Sequence, residues 1–526
     1  MPREIAASAV LALGLAGCAT APLPGSRQVT ILHTNDMHGR HGPFHVAPGD
    51  ATAQTGDPGR SPSSFDRAAM VGGFQYLAGK VGDIRRRDGA ANVLLVDAGD
   101  TFGDDLVGNE TRGEAMIRLM NALGYQFMAL GNHDFDYGLA RTRELAKLAD
   151  FPMRGANTLE GGQPIFGRPW QVFTANGVRI AMLALSYHNT DETGSKDNLR
   201  GLEFTSGIEA ARRYLPEMRE AADVVVLLSH QGAAVDRKLA REVPGVDLIV
   251  GGHSHDRITP PERVNDTWIV QALSDGASLG ELRLTVGADR RLEGVSGTVH
   301  DLWNDRIEPD PKMALMVARI DAPYRQRLDE VLATSANRIG RQYKSESPFD
   351  VLVGDIMRER TGADVALLPG VGYGVSIEAG PVTRERLYTL LPHPTKLVTL
   401  EMTGAQVTRL LEQSATNLDP GDDLDRVGGL IQTSGIGWTL DLNAPVGHRV
   451  SKVAIAGAAI DPSRWYKVAT NAGMTGGLHR YDFSQGRRSK THAIPVTQLV
   501  EEALRKRGTI ASPPTGNIRL IKSTAK

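Results

Sequence analysis

The sequence predicts an α/β protein of two domains, and three observations carry that expectation. At 526 residues the chain is longer than one hydrophobic core ordinarily organises. Its 58 glycines, beside 41% hydrophobic and 23% charged residues, describe a loop-rich globular protein rather than a helical bundle. Short apolar, β-branched runs alternate with helix-patterned stretches, and run after run stops at a cluster of Asp, Asn, Gly and His. A formal charge of −2 leaves no basic surplus for a sequence-independent nucleic-acid surface. The triple Arg85-Arg86-Arg87 reads as a solvated helix face.

Residues 1–17 read as a signal peptide. Ile5 to Leu15 is apolar but too short to span a bilayer, and Leu15-Ala16-Gly17-Cys18 follows. That tetrapeptide resembles the bacterial lipobox, in which the Cys is lipidated. The resemblance implies an exported, periplasmic lipoprotein anchored to the membrane through Cys18, with residues 18–27 as a tether. A plain secretory peptide cleaved nearby is the competing reading. Cys18 is the only cysteine in the chain, so neither an internal disulfide nor a thiolate metal ligand is available.

Val29 to Thr34 suits a first buried strand and ends in Asn35-Asp36-Met37-His38-Gly39. Residues 39–68 lack a period and read as a surface loop. A helix from about Val71 to Arg87 leads to a second strand, Asn92 to Val96, which ends in Asp97-Ala98-Gly99-Asp100. Glu114 to Leu123 is an amphipathic helix. Phe127 to Leu130 is the third strand, running into Gly131-Asn132-His133-Asp134-Phe135-Asp136. Val178 to Leu185 ends more weakly, in Ser186-Tyr187-His188. Asp223 to Leu228 ends in Ser229-His230-Gln231-Gly232, and Val246 to Val250 ends in Gly251-Gly252-His253-Ser254-His255. Strands at Trp268 to Ala272 and Leu279 to Val286 complete a first domain, residues 28–305. Pro311 to Ala333 has a helical pattern and predicts a connector helix within 306–338. A second, smaller α/β domain spans 339–522, with helices at Val351 to Arg360 and Gly404 to Ala415 and strands at Lys396 to Glu401 and Lys467 to Thr470.

Five strand ends therefore carry Asp36/His38, Asp100, Asn132/His133, His230 and His253/His255. A lone His at such a place is more often a satisfied turn residue than a ligand. Five in order within one domain point instead to a metal site. Imidazole, carboxylate and amide without sulfur suit Mn, Zn, Fe or Co better than Ca or an iron–sulfur cluster. The set is too large for one ion, and a carboxylate can bridge two. Two divalent ions roughly 3.5–4 Å apart can clamp the attacking and leaving oxygens of an in-line displacement.

Asp-x-His, Gly-Asp, Gly-Asn-His-Asp, Ser-His and Gly-Gly-His-Ser-His, in this order, resemble the calcineurin-like metallophosphoesterases. Asn-His-Asp-Phe-Asp, with a second domain behind it, is similar to the exported 5′-nucleotidases and UDP-sugar hydrolases. The resemblance implies a four-layer metallophosphoesterase sandwich, a 5′-nucleotidase-type C-terminal domain, and hydrolysis of phosphate monoesters or anhydrides, nucleotides foremost. By it, Asp36, His38, Asp100 and His255 would hold one ion, and Asp100, Asn132, His230 and His253 the other. The family carries Gln where His255 stands. His133 would stabilise the phosphoryl transition state or assist the leaving group, oriented by Asp136. A carboxylate bonded to imidazole fixes its tautomer and raises its basicity.

The second domain departs from that family. Its Asn-Gly-Gly-x-Arg becomes Leu368-Pro369-Gly370-Val371-Gly372-Tyr373-Gly374, without the Asn and the Arg. The usual Pro-Phe before an Asn becomes Leu391-Pro392-His393-Pro394-Thr395. Tyr373, Tyr481 and Phe483 are the candidates for contact with a base, beside Trp438, though aromatics there are more often core. Glu401-Met402-Thr403-Gly404-Ala405-Gln406 and Arg426-Val427-Gly428-Gly429-Leu430 resemble the thiosulfohydrolase of sulfur oxidation. That resemblance implies the alternative function, sulfate release from a carrier protein. A binding protein that keeps the metals without catalysis is the third reading.

Overall fold

The computed structural model describes residues 25–48, 65–103, 105–371 and 376–521. Cys18, its signal segment and Tyr373 lie outside them. Two six-stranded sheets form the N-terminal half. One runs Leu292–Asp301, Ser278–Val286, Arg27–Thr34, Val93–Asp97, Phe127–Ala129, Met153–Arg154, and its last four strands are mutually parallel. The other runs Arg257–Val264, Thr267–Ala272, Leu248–Gly251, Val224–Ser229, Val178–Leu185, Trp170–Ala175, with its middle four parallel.

The central strands are apolar on both faces because both faces are covered. Val29, Ile31, Leu94, Val96 and Phe127 from one sheet meet Ile180, Met182, Val224, Val226 and Val250 from the other. On the outer side of the first sheet, helices Phe74–Asp88 and Glu114–Leu123 bury Leu77, Val81, Met116 and Met120. Gly207–Ala221 and Ala233–Glu242 do the same for the second with Ile208, Ala211 and Leu239. The result is four layers, helix, sheet, sheet, helix, as the sequence predicts.

Register sets where the strands stop. Thr34 pairs with Asp97, and Leu185, Ser229 and Gly251 lie side by side, so the polar loops that follow leave the sheets at one edge. Ligands collect at such carboxyl edges in open α/β sheets.

The C-terminal part contains a five-stranded sheet ordered Gln432–Ser434, Val365–Leu368, Trp465–Asn471, Lys396–Thr403, Arg487–Pro495, and smaller sheets of four and three strands. The helical connector expected over 311–333 is corrected. A helix covers Pro311–Asp321, a single turn covers Arg325–Leu328, and Val331–Ser335 is a strand. The strand wins because Val331 to Ser335 finds partners on both sides, Gly380–Thr383 and Thr509–Ile510. Pairing of this kind overrides local periodicity.

Candidate active site

All seven candidate ligands converge at the shared sheet edge. Asp36, His38 and His255 each bring a ligand atom within 4.8 Å of the others, and so do Asp100, His230 and His253. His38 Nε2 and His255 Nε2 are 3.0 Å apart, and His255 Nε2 is 3.3 Å from Asp36 Oδ1. His230 Nε2 lies 3.0 Å from Asp100 Oδ2 and 3.8 Å from Asp36 Oδ1, so the two trios adjoin. Asn132 Oδ1 stands 3.0 Å from His253 Nδ1.

The arrangement asks for positive charge. His230 Nδ1–H donates to the Ala98 carbonyl at 2.7 Å, which turns Nε2 toward the two carboxylates. Nε2 is buried and makes no hydrogen bond of its own. Burial pushes the His230 imidazole down, yet Asp100 and Asp36 outweigh it and raise its pKa to about 9. Burial likewise opposes charge on Asp100, but the imidazoles of His230 and His133 hold it well below the carboxylate range. A divalent cation satisfies this field better than a single proton, and the oxygen and nitrogen donors fit it. Among the described residues these donors form two adjoining candidate clusters for divalent metals, one at Asp36, His38 and His255, the other at Asp100, His230 and His253 with Asn132 beside it.

Holding these groups together costs backbone strain. Asp36, His38, Asp100, His253 and His255 all have positive φ, between 50° and 73°. For residues with a Cβ this is uncommon and clusters at functional sites. Backbone bonds hold it in place: Asp36 N to Gly99 O at 2.8 Å, His38 N to Asp100 O at 2.9 Å, and Asp275 N to Asp36 O at 2.7 Å. Gly131 is required by closeness, since a Cβ there would collide with the Asp100 carboxylate.

Three supporting residues hold the site together, and of these the sequence marks only Asp134, as a neighbour of the ligands. Asp134, fully buried, accepts N–H bonds from Gly131 (2.7 Å), Thr101 (2.9 Å), Asp100 (3.0 Å) and Phe102 (3.3 Å). Its carboxylate ties together the loops carrying Asp100 and Asn132, although its side chain is no ligand of either cluster. Asn35 ties the two sheets, its Nδ2 donating to Leu273 O at 2.5 Å while Oδ1 accepts from Ala272 N at 2.9 Å. Tyr187 stacks on His253 with centroids 3.7 Å apart and donates its hydroxyl to Arg426 O at 2.7 Å. It thereby joins the metal cluster to the C-terminal part. His188 is not a ligand, because its ring nitrogens engage Gln231 and the Leu424 carbonyl, each at 2.8 Å.

His133 sits beside the clusters. Its backbone N–H donates to Asp100 Oδ1 at 2.7 Å, and its Nδ1 lies 2.8 Å from Asp136 Oδ2. A ring nitrogen also comes within 4.8 Å of ligand atoms of His38 and Asp100. From the C-terminal part, His393 lays its ring parallel to His133, with centroids 5.7 Å apart and planes 4° from coplanar. The base contacts proposed for Tyr481 and Phe483 are corrected. Both side chains are buried with Leu400, Leu410, Val468 and Trp438 in the core under the C-terminal sheet, where burying an aromatic ring outweighs presenting it to a ligand. His133→Asn is expected to lower turnover about 10²–10⁴-fold with metal content unchanged, measured by steady-state kinetics beside elemental analysis. Asp136→Asn, which keeps the contact but weakens its hold on the imidazole, should cost less.

Paired sheets whose strand ends gather carboxylates, imidazoles and an amide define the calcineurin-like phosphoesterase class, and residues 29–257 match that family. Residues 327–485 match the 5′-nucleotidase C-terminal domain. The two matches put a calcineurin-like phosphoesterase domain ahead of a 5′-nucleotidase C-terminal domain in one chain. It is 28% identical over 503 residues to protein UshA of Yersinia enterocolitica, covering 84% of each chain. It is 26% identical over 517 residues to a 5′-nucleotidase of Vibrio cholerae, covering 88% of each. Among solved structures, the sulfate thiohydrolase SoxB of Thermus thermophilus superposes with a TM-score of 0.85 at 25% identity, over 94% of this chain and 96% of that one. A 5′-nucleotidase precursor from Thermus thermophilus gives 0.84 at 25% identity, over 94% and 99%. No helix among the described residues is long and apolar enough to cross a membrane.

Proposed function

We propose that this chain is an exported hydrolase of phosphate monoesters and phosphoanhydrides, with nucleotides as its first substrate class. In this reading residues 28–305 form the dimetal catalytic domain and residues 339–522 the substrate domain. The convergence of Asp36, His38, Asp100, Asn132, His230, His253 and His255 at one sheet edge, beside the His133–Asp136 pair, carries the proposal. Two divalent ions, drawn from Mn, Zn, Fe or Co, would supply Lewis-acid charge and lower the pKa of an attacking water. Asp136 accepts from His133 Nδ1–H and favours the imidazolium, leaving Nε2–H to donate to a phosphoryl or leaving-group oxygen. The edge-on ring of His38, 5.2 Å away by centroids, limits the tilt of that imidazole. Nucleotide relatives such as the Vibrio cholerae 5′-nucleotidase support the substrate class. Lipidation of Cys18 would hold the enzyme at the membrane, and Cys18→Ala should release it to the soluble periplasmic fraction.

A second reading has its own support. With Tyr481 and Phe483 in the core and His393 beside His133, neither a Tyr481 nor a Phe483 contact is available to a base, and SoxB superposes well. The full chain, loaded with Mn, is to be assayed on AMP, UDP-glucose, an aryl phosphate and a thiosulfonate-conjugated carrier peptide. Metal-dependent phosphate release supports the first reading. Turnover of the peptide alone transfers the assignment to a thiosulfohydrolase-like enzyme.

A further inference from the structure

A cavity of about 330 Å³ shares no wall residue with the metal clusters. Four segments form most of its wall: the loop from Arg40 to His45, Asp105 to Val107, the end of the Pro311–Asp321 helix with Arg325 and Leu328 beyond it, and the Arg384–Leu390 helix of the C-terminal part. Most of its charges are matched. His41 bridges Asp321 at 2.6 Å and Asp105 at 3.4 Å, Arg40 pairs with Asp275 at 3.2 Å, and Arg325 reaches Asp321 at 3.4 Å and Glu385 at 3.5 Å.

Arg386 is the exception. Arg386 lines the cavity, partly shielded from water; Glu385 and Glu378 attract its guanidinium from a distance, but it meets no hydrogen-bond or ion-pair partner among the described residues. A cation withdrawn from water without a partner is unfavourable. Burial, and then the neighbouring Arg40, hold this guanidinium below its ordinary pKa.

We propose that the cavity binds a small phosphorylated polyol, with its phosphate on Arg386 and its hydroxyls on the carboxylates of Asp105, Asp321 and Glu385. A guanidinium fork matches two phosphate oxygens at once. Bare phosphate would leave most of the volume unfilled, and the wall also offers Phe44, Leu106 and Leu328 to a carbon skeleton. The bound molecule touches the loop that follows His38 and a helix of the C-terminal part together. Arg40 carries the contact inward, since its partner Asp275 donates to the Asp36 carbonyl.

The test is calorimetric titration of the Mn-loaded full chain with a pentose 5-phosphonate, which a phosphoesterase cannot cleave, and with inorganic phosphate. Wild type should bind two phosphonates, one lost on chelation of the metal and one retained. Arg386→Gln, with an unchanged melting curve, should weaken the retained site by about ten-fold or more, the usual worth of a charge-assisted bond. A single wild-type site, or a retained site indifferent to Arg386→Gln, overturns the proposal. Equal affinity for phosphate and phosphonate at the retained site overturns the polyol assignment. Should the variant not fold, a crystal structure of wild type with the phosphonate decides between density against Arg386 and an empty cavity.

Discussion

Asp100→Asn is expected to lower phosphoester turnover by about three orders of magnitude, the worth of several kcal/mol of charge stabilisation. Asp100 stands where the two candidate clusters adjoin. Its Oδ2 faces His230 Nε2 at 3.0 Å, and its Oδ1 accepts from the His133 backbone at 2.7 Å. An amide removes the negative charge that opposes burial around His230 and can direct an N–H at a ligand position. Metal content should fall with activity, because a site without its shared charge binds at least one ion poorly. Elemental analysis and steady-state kinetics on the same preparation check both. Full turnover with unchanged metal content would remove Asp100 from the site.

Asp134→Ala is expected to destabilise the N-terminal half by on the order of 4 kcal/mol or more. Four backbone N–H groups lose their acceptor in a buried place, and each such group costs about 1–3 kcal/mol when left unsatisfied. Partial rearrangement of the loops, or entry of water, reduces the sum without erasing it. Asp134→Asn keeps one oxygen and should lie between the two. Thermal unfolding of the metal-free chain measures the loss without the contribution of bound ions. Activity should fall too, since the loops that hold Asp100 and Asn132 share this one carboxylate. A melting curve identical to wild type for Asp134→Ala would show that the loops hold their shape unaided.

These two aspartates mark how far the sequence could be read. Val178–Leu185 and Glu114–Leu123 fall where the sequence predicts them, because a continuous buried run and a 3.6-residue period are local signals. The candidate ligands were legible for the same reason, each lying within a few residues of a strand end. Asp134 reads from the sequence as a neighbour of the ligands rather than one of them, and only the fold shows what it does there, its carboxylate accepting from four backbone donors. Tyr481 and Phe483 are candidates for contact with a base only through the family resemblance, and their environment is decided by strands more than sixty residues away in sequence, such as Lys396–Thr403. The stacking of His393 on His133 joins residues 260 positions apart, and no local pattern encodes it. Strands such as Arg487–Pro495, polar and mostly exposed, carried no apolar alternation to find.

The most direct measurement is the metal stoichiometry of the purified full chain together with its dependence of turnover on that metal. The expected result is two divalent ions per chain, with AMP or aryl phosphate hydrolysis abolished by chelation and restored by Mn. Hydrolysis that persists in chelated protein with no bound ion would contradict the dimetal site proposed at Asp36, His38, Asp100, Asn132, His230, His253 and His255.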